Sequence, residues 1–358
     1  MKPVCLLCLL LCLLLLLPGC GGNADAPIVT SAPAADDSQA VSPKAAELPA
    51  NFESALPDAE IQGPETAVTC LASELTFDED TIRNALTQQG FSGDFRIRCS
   101  GRSLKLMRTE EQHWDELNEI VRLYPSLEDY TNTLGGALHN EDYAAWGELP
   151  FLPLEDCISA VNGLLEAILP GSTRLSEVYA LDAETMAAHE TCRTERLSTL
   201  AEGAETYPWS KADEAYVLIY RVTAADIPLY AERVTIERAL VGGSYLTAVV
   251  DASGLLGLYG ENLYGLAEPL SEAPAIDAAA AMKRFLGDMR KAIHPEGTKW
   301  VSMEYCYLPL PGQDGSTTLT PVWAFAVSTP PAAEGAEGFT IVRRYLYHAA
   351  TGEVLYAR

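Results

Sequence analysis

Residues spaced for familiar chemistry are few in this sequence. The five histidines stand alone, without an HExxH, HxH or other close pair for a metal, and they are His113, His139, His189, His294 and His348. There is no GxSxG or SxxK for a serine nucleophile and no glycine-rich phosphate loop. Asp78, Glu79 and Asp80 cluster, but the helix dipole favours acids in a first helical turn. The sequence therefore predicts no catalytic residue, no metal and no cofactor.

The cysteine spacing predicts neither a zinc site nor a disulfide framework. Five cysteines follow Cys20, an odd number without a CxxC, and they are Cys70, Cys99, Cys157, Cys192 and Cys306. We expect most of them to be small buried hydrophobes. A bridge between Cys70 and Cys99 is the candidate disulfide.

The N-terminus has the composition of an export signal. Lys2 precedes an uncharged apolar run from Val4 to Leu17. A membrane-spanning helix needs roughly 20 apolar residues, whereas the core of a signal peptide needs about 7 to 15. The run therefore predicts a cleaved signal, and it ends in Leu17, Pro18, Gly19 and Cys20.

These last four residues resemble the lipobox of bacterial lipoproteins, although Pro18 departs from the usual small or polar residue. The resemblance implies cleavage between Gly19 and Cys20 and a lipid on Cys20, with residues 1–19 removed. Two or three acyl chains together hold a protein stably on a membrane. We therefore expect a lipid-anchored protein on the extracytoplasmic side of the cell membrane. The alternative is an ordinary cleaved signal.

Residues 20–64 differ in composition from the rest of the chain. They are rich in Ala, Pro and acids, with scarcely any aromatic or long aliphatic side chain. Such a segment cannot bury enough surface to offset its ordering entropy. We predict a disordered stalk here.

The charge of the chain excludes one class of partner. With 24 basic and 50 acidic residues the formal net charge is −26, which repels nucleic acid and anionic headgroups. It favours cationic, neutral or metal-bearing partners, and it also simply keeps a protein soluble.

Periodicity predicts a small α/β subdomain over residues 65–150. The sequence favours an extended stretch at 65–71, then a helix from the N-cap Asp78 through Gln89. Two strands, Phe95–Cys99 and Ser103–Arg108, follow across a Gly101 turn. A capping box at Thr109 begins a helix that runs to Tyr124.

Two further units are predicted, over 151–272 and 273–358. Helices are expected over Glu155–Leu169 and Ala183–Glu202 and from Asp277 onward. Strands with a period of two are expected at Ala215–Val222, Leu229–Leu240, Tyr245–Asp251, Leu255–Tyr264, Trp300–Leu308, Leu319–Ser328, Thr340–His348 and Glu353–Ala357, with Asp314-Gly315 as a hairpin turn. Helices followed by runs of strands, without βαβ alternation, indicate an α+β fold with antiparallel sheets.

An internal echo relates the two units. The turn over residues 250–255 returns 98 residues later from His348 onward, and each copy follows an aromatic-rich strand, Tyr216–Tyr220 in one and Pro321–Phe325 in the other. The strand at Pro321 and the turn Ala350-Thr351-Gly352-Glu353-Val354 resemble PepSY-like domains, in particular the paired units of the YycI and YycH regulators. His348 stands where that family has an acid or asparagine. The resemblance implies tandem helix-plus-curved-sheet units, protein contact at the surface of a Gram-positive cell and no catalysis.

Three functions are therefore open. The first is a non-catalytic protein-interaction or regulatory module whose partner is another extracytoplasmic or membrane protein. The second is a solute-binding lipoprotein of a transporter, and the third is a surface hydrolase with two carboxylates that meet only in the fold. Among the tryptophans, Trp323 is expected in the core, whereas Trp146 and Trp209 are the candidates for an interface.

Overall fold

The computed structural model describes most of the chain beyond residue 62. The described residues are 48–49, 51–54, 63–108, 143–188, 209–236, 239–312, 314–330 and 341–357. The signal, Cys20, Cys192 and the helix predicted over Thr109–Tyr124 lie outside them. Of the helix predicted over Ala183–Glu202, residues 183–188 are described and are helical.

Three helices lie close to their predicted positions: α1 at Glu79–Gln88, α2 at Leu154–Ile168 and α3 at Ala278–Met289. Asp78 caps α1, because its Oδ2 accepts the amide N–H of Thr81 at 2.8 Å. Asp277 caps α3 in the same way through Ala280 at 2.6 Å. The first amide N–H groups of a helix have no acceptor within the helix, and a carboxylate at the N-cap accepts one of them. The starts of these two helices can therefore be predicted from the local sequence.

The first sheet, sheet A, has eight strands within the described residues, in the order β3-β4-β12-β11-β7-β6-β5, with β8 paired to β7. Their bounds are β3 Phe95–Ser100, β4 Ser103–Arg108, β5 Ala144–Ala145, β6 Thr173–Leu181, β7 Ala215–Ala224, β8 Ile227–Pro228, β11 Tyr245–Asp251 and β12 Gly254–Glu261. All of its strand pairs are antiparallel.

The second sheet, sheet B, has seven strands within the described residues, with the main order β1-β14-β15-β16-β17. Strand β2 pairs with β15 and with β13. The bounds are β1 Phe52–Ser54, β2 Thr66–Glu74, β13 Tyr264–Pro274, β14 Thr298–Pro311, β15 Thr317–Thr329, β16 Ile341–His348 and β17 Val354–Ala357. Strand β1 is parallel to β14, and the other pairs are antiparallel.

The same order of elements occurs twice. Helix α2 is followed by the meander β6-β7-β11-β12, and helix α3 is followed by the meander β14-β15-β16-β17. We call these helix-plus-meander sets unit 1 and unit 2. The α+β class with antiparallel sheets is thus confirmed.

Each helix covers one face of its own meander. In unit 1, Tyr216 and Tyr220 are buried in a core with the apolar stripe of α2 and with α1. In unit 2, Trp323 and Phe325 are buried against α3, and Phe285 stacks on Phe325 with ring centroids 4.4 Å apart. Full burial of such a side chain contributes about 1.5–3 kcal/mol. The prediction that Trp323 lies in the core is confirmed.

Two strand predictions are wrong. The run predicted as one strand at Leu229–Leu240 turns back on itself, because β9, Arg233–Ile236, and β10, Ala239–Gly242, form an antiparallel hairpin. A period of two continues through both arms of a hairpin, so the pattern cannot show the reversal. The strand predicted to reach Tyr264 ends at Glu261, and Tyr264 begins β13, which was not predicted. Asn262, with a φ of 49°, makes the break between them.

The N-terminal part of the described chain contributes to both sheets. Strands β3 and β4 join sheet A through β12, whereas β2 joins sheet B. Strand pairing therefore crosses the predicted boundaries after residues 150 and 272. The prediction of a wholly disordered stalk over 20–64 is wrong at Phe52–Ser54, since β1 pairs with β14 and Phe52 is buried beside Met289 and Trp300.

Candidate functional site

The outer face of sheet A, the face turned away from α1 and α2, carries a candidate surface at its half-buried aromatic residues. Alternate residues of β7, β11 and β12 leave the core and form a separate cluster. We define the outer face by this cluster, which contains buried Tyr143, Leu181, Met186, Ala215, Val217, Val249 and Leu256, and half-buried Met107, Tyr179, Trp209, Ile219 and Tyr259.

The register of the strands aligns this face in rows. Lys105 on β4 lies opposite Tyr259 on β12, which lies opposite Thr247 on β11, and Thr247 in turn faces Ile219 on β7. The Lys105 ammonium lies 5.0 Å from the centroid of the Tyr259 ring, a cation–π contact. At the far side, the Tyr179 hydroxyl donates to Glu177 at 2.5 Å. Charged side chains of the sheet thus contact two aromatic residues of this face, Tyr259 through its ring and Tyr179 through its hydroxyl.

Trp209 lies on this outer face, as its predicted interface role would require. The turn after it is fixed by a capping box, in which Ser210 Oγ donates to Asp213 at 2.6 Å and the Ser210 amide donates to the same carboxylate at 2.8 Å. The ring packs beside the apolar cluster and is partly exposed. Trp209 therefore directly precedes a turn of fixed geometry and keeps part of its surface exposed.

Trp146 lies at the margin of sheet A, next to the short edge strand β5. Its side chain is 52% exposed and its φ is 56°, a left-handed conformation that is uncommon for a bulky residue. The Trp146 amide donates to Val178 at 3.0 Å, which holds this conformation. An exposed indole on a fixed backbone is suited to contact, and a role for Trp146 or Trp209 in an interface remains a prediction.

A basic hairpin at the opposite margin was missed by the sequence reasoning. Residues 95–108 carry five basic side chains and no acidic one, within a chain of net charge −26. A sliding count of charge would have found it. Arg96 and Arg98 are exposed on β3, whereas Arg108 is buried and pairs with Asp251 at 3.4 Å.

A half-buried ion-pair cluster lies between the sheets. Arg221 of β7 binds Glu304 of β14 through two hydrogen bonds, of 2.9 and 3.2 Å, and donates to the Leu229 carbonyl. Arg344 of β16 pairs with Glu232 at 3.3 Å. Burial raises the pKa of the nearby Tyr230 hydroxyl, which stays protonated. The Arg221–Glu304 pair links strand β7 to strand β14, and the Arg344–Glu232 pair links β16 to the segment before β9. We interpret both pairs as structural contacts.

The predicted Cys70–Cys99 bridge is not formed, and this prediction is corrected. Both residues are free thiols, together with Cys157 and Cys306. Cys70 is buried in sheet B opposite Pro269, whereas Cys99 is exposed on β3 in sheet A, so the two belong to different sheets. Burial raises the pKa of the Cys157 thiol to about 12, and it raises that of Cys306 well above its ordinary value. These two thiols are buried hydrophobes, as expected.

Two histidines are described, and each has a structural bond. His294 Nε2 lies 2.7 Å from the Met289 carbonyl, and its ring meets Phe52 edge to face at 4.6 Å. His348 Nδ1 accepts the amides of Ala350 and Thr351 at 3.2 and 3.4 Å. Desolvation lowers the pKa of His348. His113, His139 and His189 lie outside the described residues. Among those that the structure describes, no three His, Cys, Asp or Glu side chains are grouped for a metal.

The predicted anchor lies outside the described part of the chain. Gly19, Cys20 and the apolar run before them have no described structure. Over the ranges that the structure does describe, no helix combines the length and the apolar character needed to cross a membrane. Signal cleavage and lipidation stay predictions.

No protein-family model matches this chain, and no curated protein matches it either. Among solved structures, the chain is similar to an uncharacterised protein from Eubacterium rectale, with a TM-score of 0.54 and 12% identity. The match covers 82% of this chain and 86% of the other. At this identity the likeness concerns the fold, and it extends over most of both chains.

Proposed function

We propose that this chain is a lipid-anchored extracytoplasmic protein whose folded part binds another protein and performs no catalysis. The lipid would be on Cys20. The observation that carries the proposal is the outer face of sheet A, where half-exposed Tyr179, Trp209 and Tyr259 border a buried apolar centre. Partly exposed tyrosine and tryptophan side chains are enriched in protein interfaces.

The bonding and protonation of the described cysteine and histidine side chains support a non-catalytic role. The Cys157 and Cys306 thiols have raised pKa values and are not thiolates at neutral pH. His294 and His348 use ring nitrogens to bond backbone groups of their own turns. Each of these rings is held by its own turn through one nitrogen, and the two thiols lack the lowered pKa that a cysteine nucleophile needs.

The repeated helix and meander support the more specific proposal of tandem PepSY-like units. The turn at His348–Glu353 joins the last two strands of unit 2, and the turn at Asp251–Gly254 joins the corresponding strands of unit 1. The resemblance implies regulation by protein contact. The antiparallel meanders lend no support to the solute-binding alternative, which calls for two parallel α/β lobes.

The anchor is tested by metabolic labelling of cells with an alkynyl fatty acid. The wild-type chain should carry the label and sediment with membranes. The variant Cys20→Ser should lose both, whereas Cys99→Ser, which changes an exposed thiol elsewhere, should keep them. Label that persists on Cys20→Ser, or a soluble wild-type chain, would contradict the anchor.

The interface is tested by a photocrosslinking amino acid, p-benzoylphenylalanine, placed at position 259 of the outer face. The matched control places the same group at position 283, which is exposed on α3. We expect a discrete crosslinked species on the cell surface from position 259 alone. Equal crosslinking from both positions, or none from 259, would contradict the proposed surface.

A further inference from the structure

Strand β3 is an edge of sheet A. It pairs only with β4 among the described strands, and the sheet order begins with it. Every second residue of an edge strand turns its amide N–H and carbonyl outward, which is a template for another strand. The edge therefore offers a ladder of backbone groups that can pair.

Two cations stand on this edge without local partners. Arg96 and Arg98 are exposed, and residues two apart in a strand lie on the same face. Neither side chain forms a hydrogen bond or an ion pair with any residue that the structure describes, whereas both backbones pair with β4. Other exposed cations of the chain do have such partners: Arg83 binds Glu79, and Lys291 binds Asp288.

The hairpin that carries the edge is basic, unlike the chain as a whole. Residues 95–108 include five basic residues and no acidic one, while the chain as a whole has 50 acidic residues against 24 basic. Three of the five have partners: Arg108 pairs with Asp251, Arg102 bonds Tyr264 and Lys105 lies over the Tyr259 ring. The exposed Arg96 and Arg98 are the two that can attract an anionic group to β3.

We infer that β3 binds an extended acidic segment of a partner protein as an added strand of sheet A. This inference rests on the proposed function and names the chemistry of the partner. Alternate residues of a strand are about 7 Å apart, so acids two positions apart in the added strand lie opposite Arg96 and Arg98. Backbone pairing supplies the contact area and the two arginines select the sequence.

Two other occupants fit less well. A second copy of this chain, paired through the same edge, would bring the arginines of the two β3 strands together, and like charges that face each other are destabilising. An anionic bilayer has no ladder of amides and carbonyls to pair with the edge, and it would have to approach a body of net charge −26.

The test is a titration of the full mature chain with a fluorescent acidic peptide of alternating Val and Glu, followed by anisotropy. We expect saturable binding that weakens at least tenfold in Arg96→Glu/Arg98→Glu. The matched control Arg174→Glu/Lys299→Glu changes the net charge equally on exposed positions of β6 and β14, and should change the affinity less than twofold. A peptide of alternating Pro and Glu, which lacks half of the N–H donors, should bind at least tenfold more weakly.

Several results would overturn the inference. Equal binding by the Pro-Glu peptide would mean that charge attraction, and not strand pairing, explains the binding. An equal loss of affinity in both charge variants would mean that net charge, and not Arg96 and Arg98, explains it. Binding to phosphatidylglycerol vesicles through Arg96 and Arg98, with no peptide binding, would assign the edge to a membrane. Peptide binding that appears only after deletion of residues 21–47 would assign it to the acidic segment of this chain. Should the Glu pair destabilise the fold, Arg96→Gln/Arg98→Gln replaces it, with thermal unfolding as the check.

The peptide titration needs no cellular partner, so this inference and the proposed function can fail separately. Peptide binding without any crosslinked species from position 259 would leave the edge assignment standing and contradict the outer face as the interface. A crosslinked species without peptide binding would do the reverse.

Discussion

Unit 1 and unit 2 have the same order of helix and strands, but the outer faces of their sheets differ in what covers them. The outer face of sheet B is closed by the hairpin β9–β10, which is inserted between β7 and β11 of unit 1. Tyr230, Val234 and Val241 pack there against Cys306 and Leu346. In the part of the chain that the structure describes, no corresponding hairpin covers the outer face of sheet A. The same architecture therefore gives sheet B an outer face that the hairpin covers, and sheet A an outer face whose aromatic rings are half exposed.

The two units also differ in the turn between their last two strands. In unit 1, Asp251 accepts the amide and hydroxyl of Ser253 at 2.8 and 2.6 Å, and the loop between paired residues is two residues long. In unit 2, His348 accepts the amides of Ala350 and Thr351, and its own amide donates to Glu353. Both turns need an acceptor and a glycine with positive φ, of 111° at Gly254 and 66° at Gly352. A carboxylate accepts at any neutral pH, whereas an imidazole accepts only while that nitrogen is unprotonated.

The largest expected loss of stability comes from a substitution between the hairpin β9–β10 and the outer face of sheet B. Val241→Asp places a carboxylate in the buried cluster under the hairpin, where Val241 is 5% exposed. Loss of apolar burial and the cost of a buried charge together should lower the free energy of unfolding by about 3–5 kcal/mol, measured in urea. The neighbour Leu240 is 66% exposed, so Leu240→Asp should cost less than about 0.5 kcal/mol. Similar losses in the two variants would mean that the hairpin does not seal this face.

The second-largest effect tests whether the turn of unit 1 depends on an ion pair that the turn of unit 2 lacks. The Asp251 carboxylate is buried and pairs with Arg108 at 3.4 Å, whereas the neutral acceptor His348 needs no cation. Arg108→Leu leaves that charge uncompensated and should cost about 3 kcal/mol in the same urea measurement. Arg98→Leu, on the exposed neighbouring strand, should change stability by less than about 0.5 kcal/mol. A small loss in Arg108→Leu would show that other groups carry the Asp251 charge.

The sequence predicts those parts of the fold that neighbours along the chain decide. Asp78 and Asp277 reach amides three residues on, so both helix starts follow from local chemistry. Strand β4 pairs with β12 at a separation of 150–156 residues, and β2 pairs with β13 and β15 at separations of 190–249 residues. No local pattern encodes such pairing. For this reason the hairpin β9–β10 and the sharing of residues 66–108 between two sheets were not foreseen.

The candidate site was foreseen less fully than the fold. The sequence predicts Trp209 as a surface residue because it is an aromatic residue beside a loop, and Trp209 does lie on the outer face. The sequence does not predict Tyr179 and Tyr259, because alternating strand residues give no sign of which face a covering helix will occupy. The turn echo predicted the two glycines correctly. It did not predict the acceptors, because Asp251 aligns with Ala349 whereas the acceptor in unit 2 is His348.

The third effect concerns acid and the turn of unit 2. The folded state lowers the pKa of His348 from 6.5, mainly by desolvation, and so favours the neutral ring. The stability from this preference is fully present above pH 6.5, where folded and unfolded states are both neutral. It falls as the pH drops below 6.5, because the unfolded chain binds the proton first, and the fall ends below the folded pKa.

The variant His348→Asn tests this dependence, since its amide oxygen accepts the same N–H groups at every pH. It should flatten the stability profile between pH 7 and pH 5 with little change at pH 7. His348→Ala should also flatten it, but should cost about 1–2 kcal/mol at pH 7 because two turn amides lose their acceptor. A profile unchanged by Asn would place the acid sensitivity elsewhere.

The smallest expected effect on stability sharpens the contrast between the faces. Tyr259→Ser removes a half-exposed ring from the outer face of sheet A and should cost no more than about 1 kcal/mol, because much of that ring already contacts water. The equivalent change in the buried core, Tyr347→Ser, should cost about 3–5 kcal/mol, since Tyr347 is 1% exposed. The comparison is informative only when binding is measured beside unfolding. With the photocrosslinking amino acid moved to position 179 of the same face, Tyr259→Ser should reduce the yield of the crosslinked species while the fold persists. A large loss of stability from Tyr259→Ser would mean that the outer face is core rather than interface, since a surface kept for a partner contributes little to the free chain.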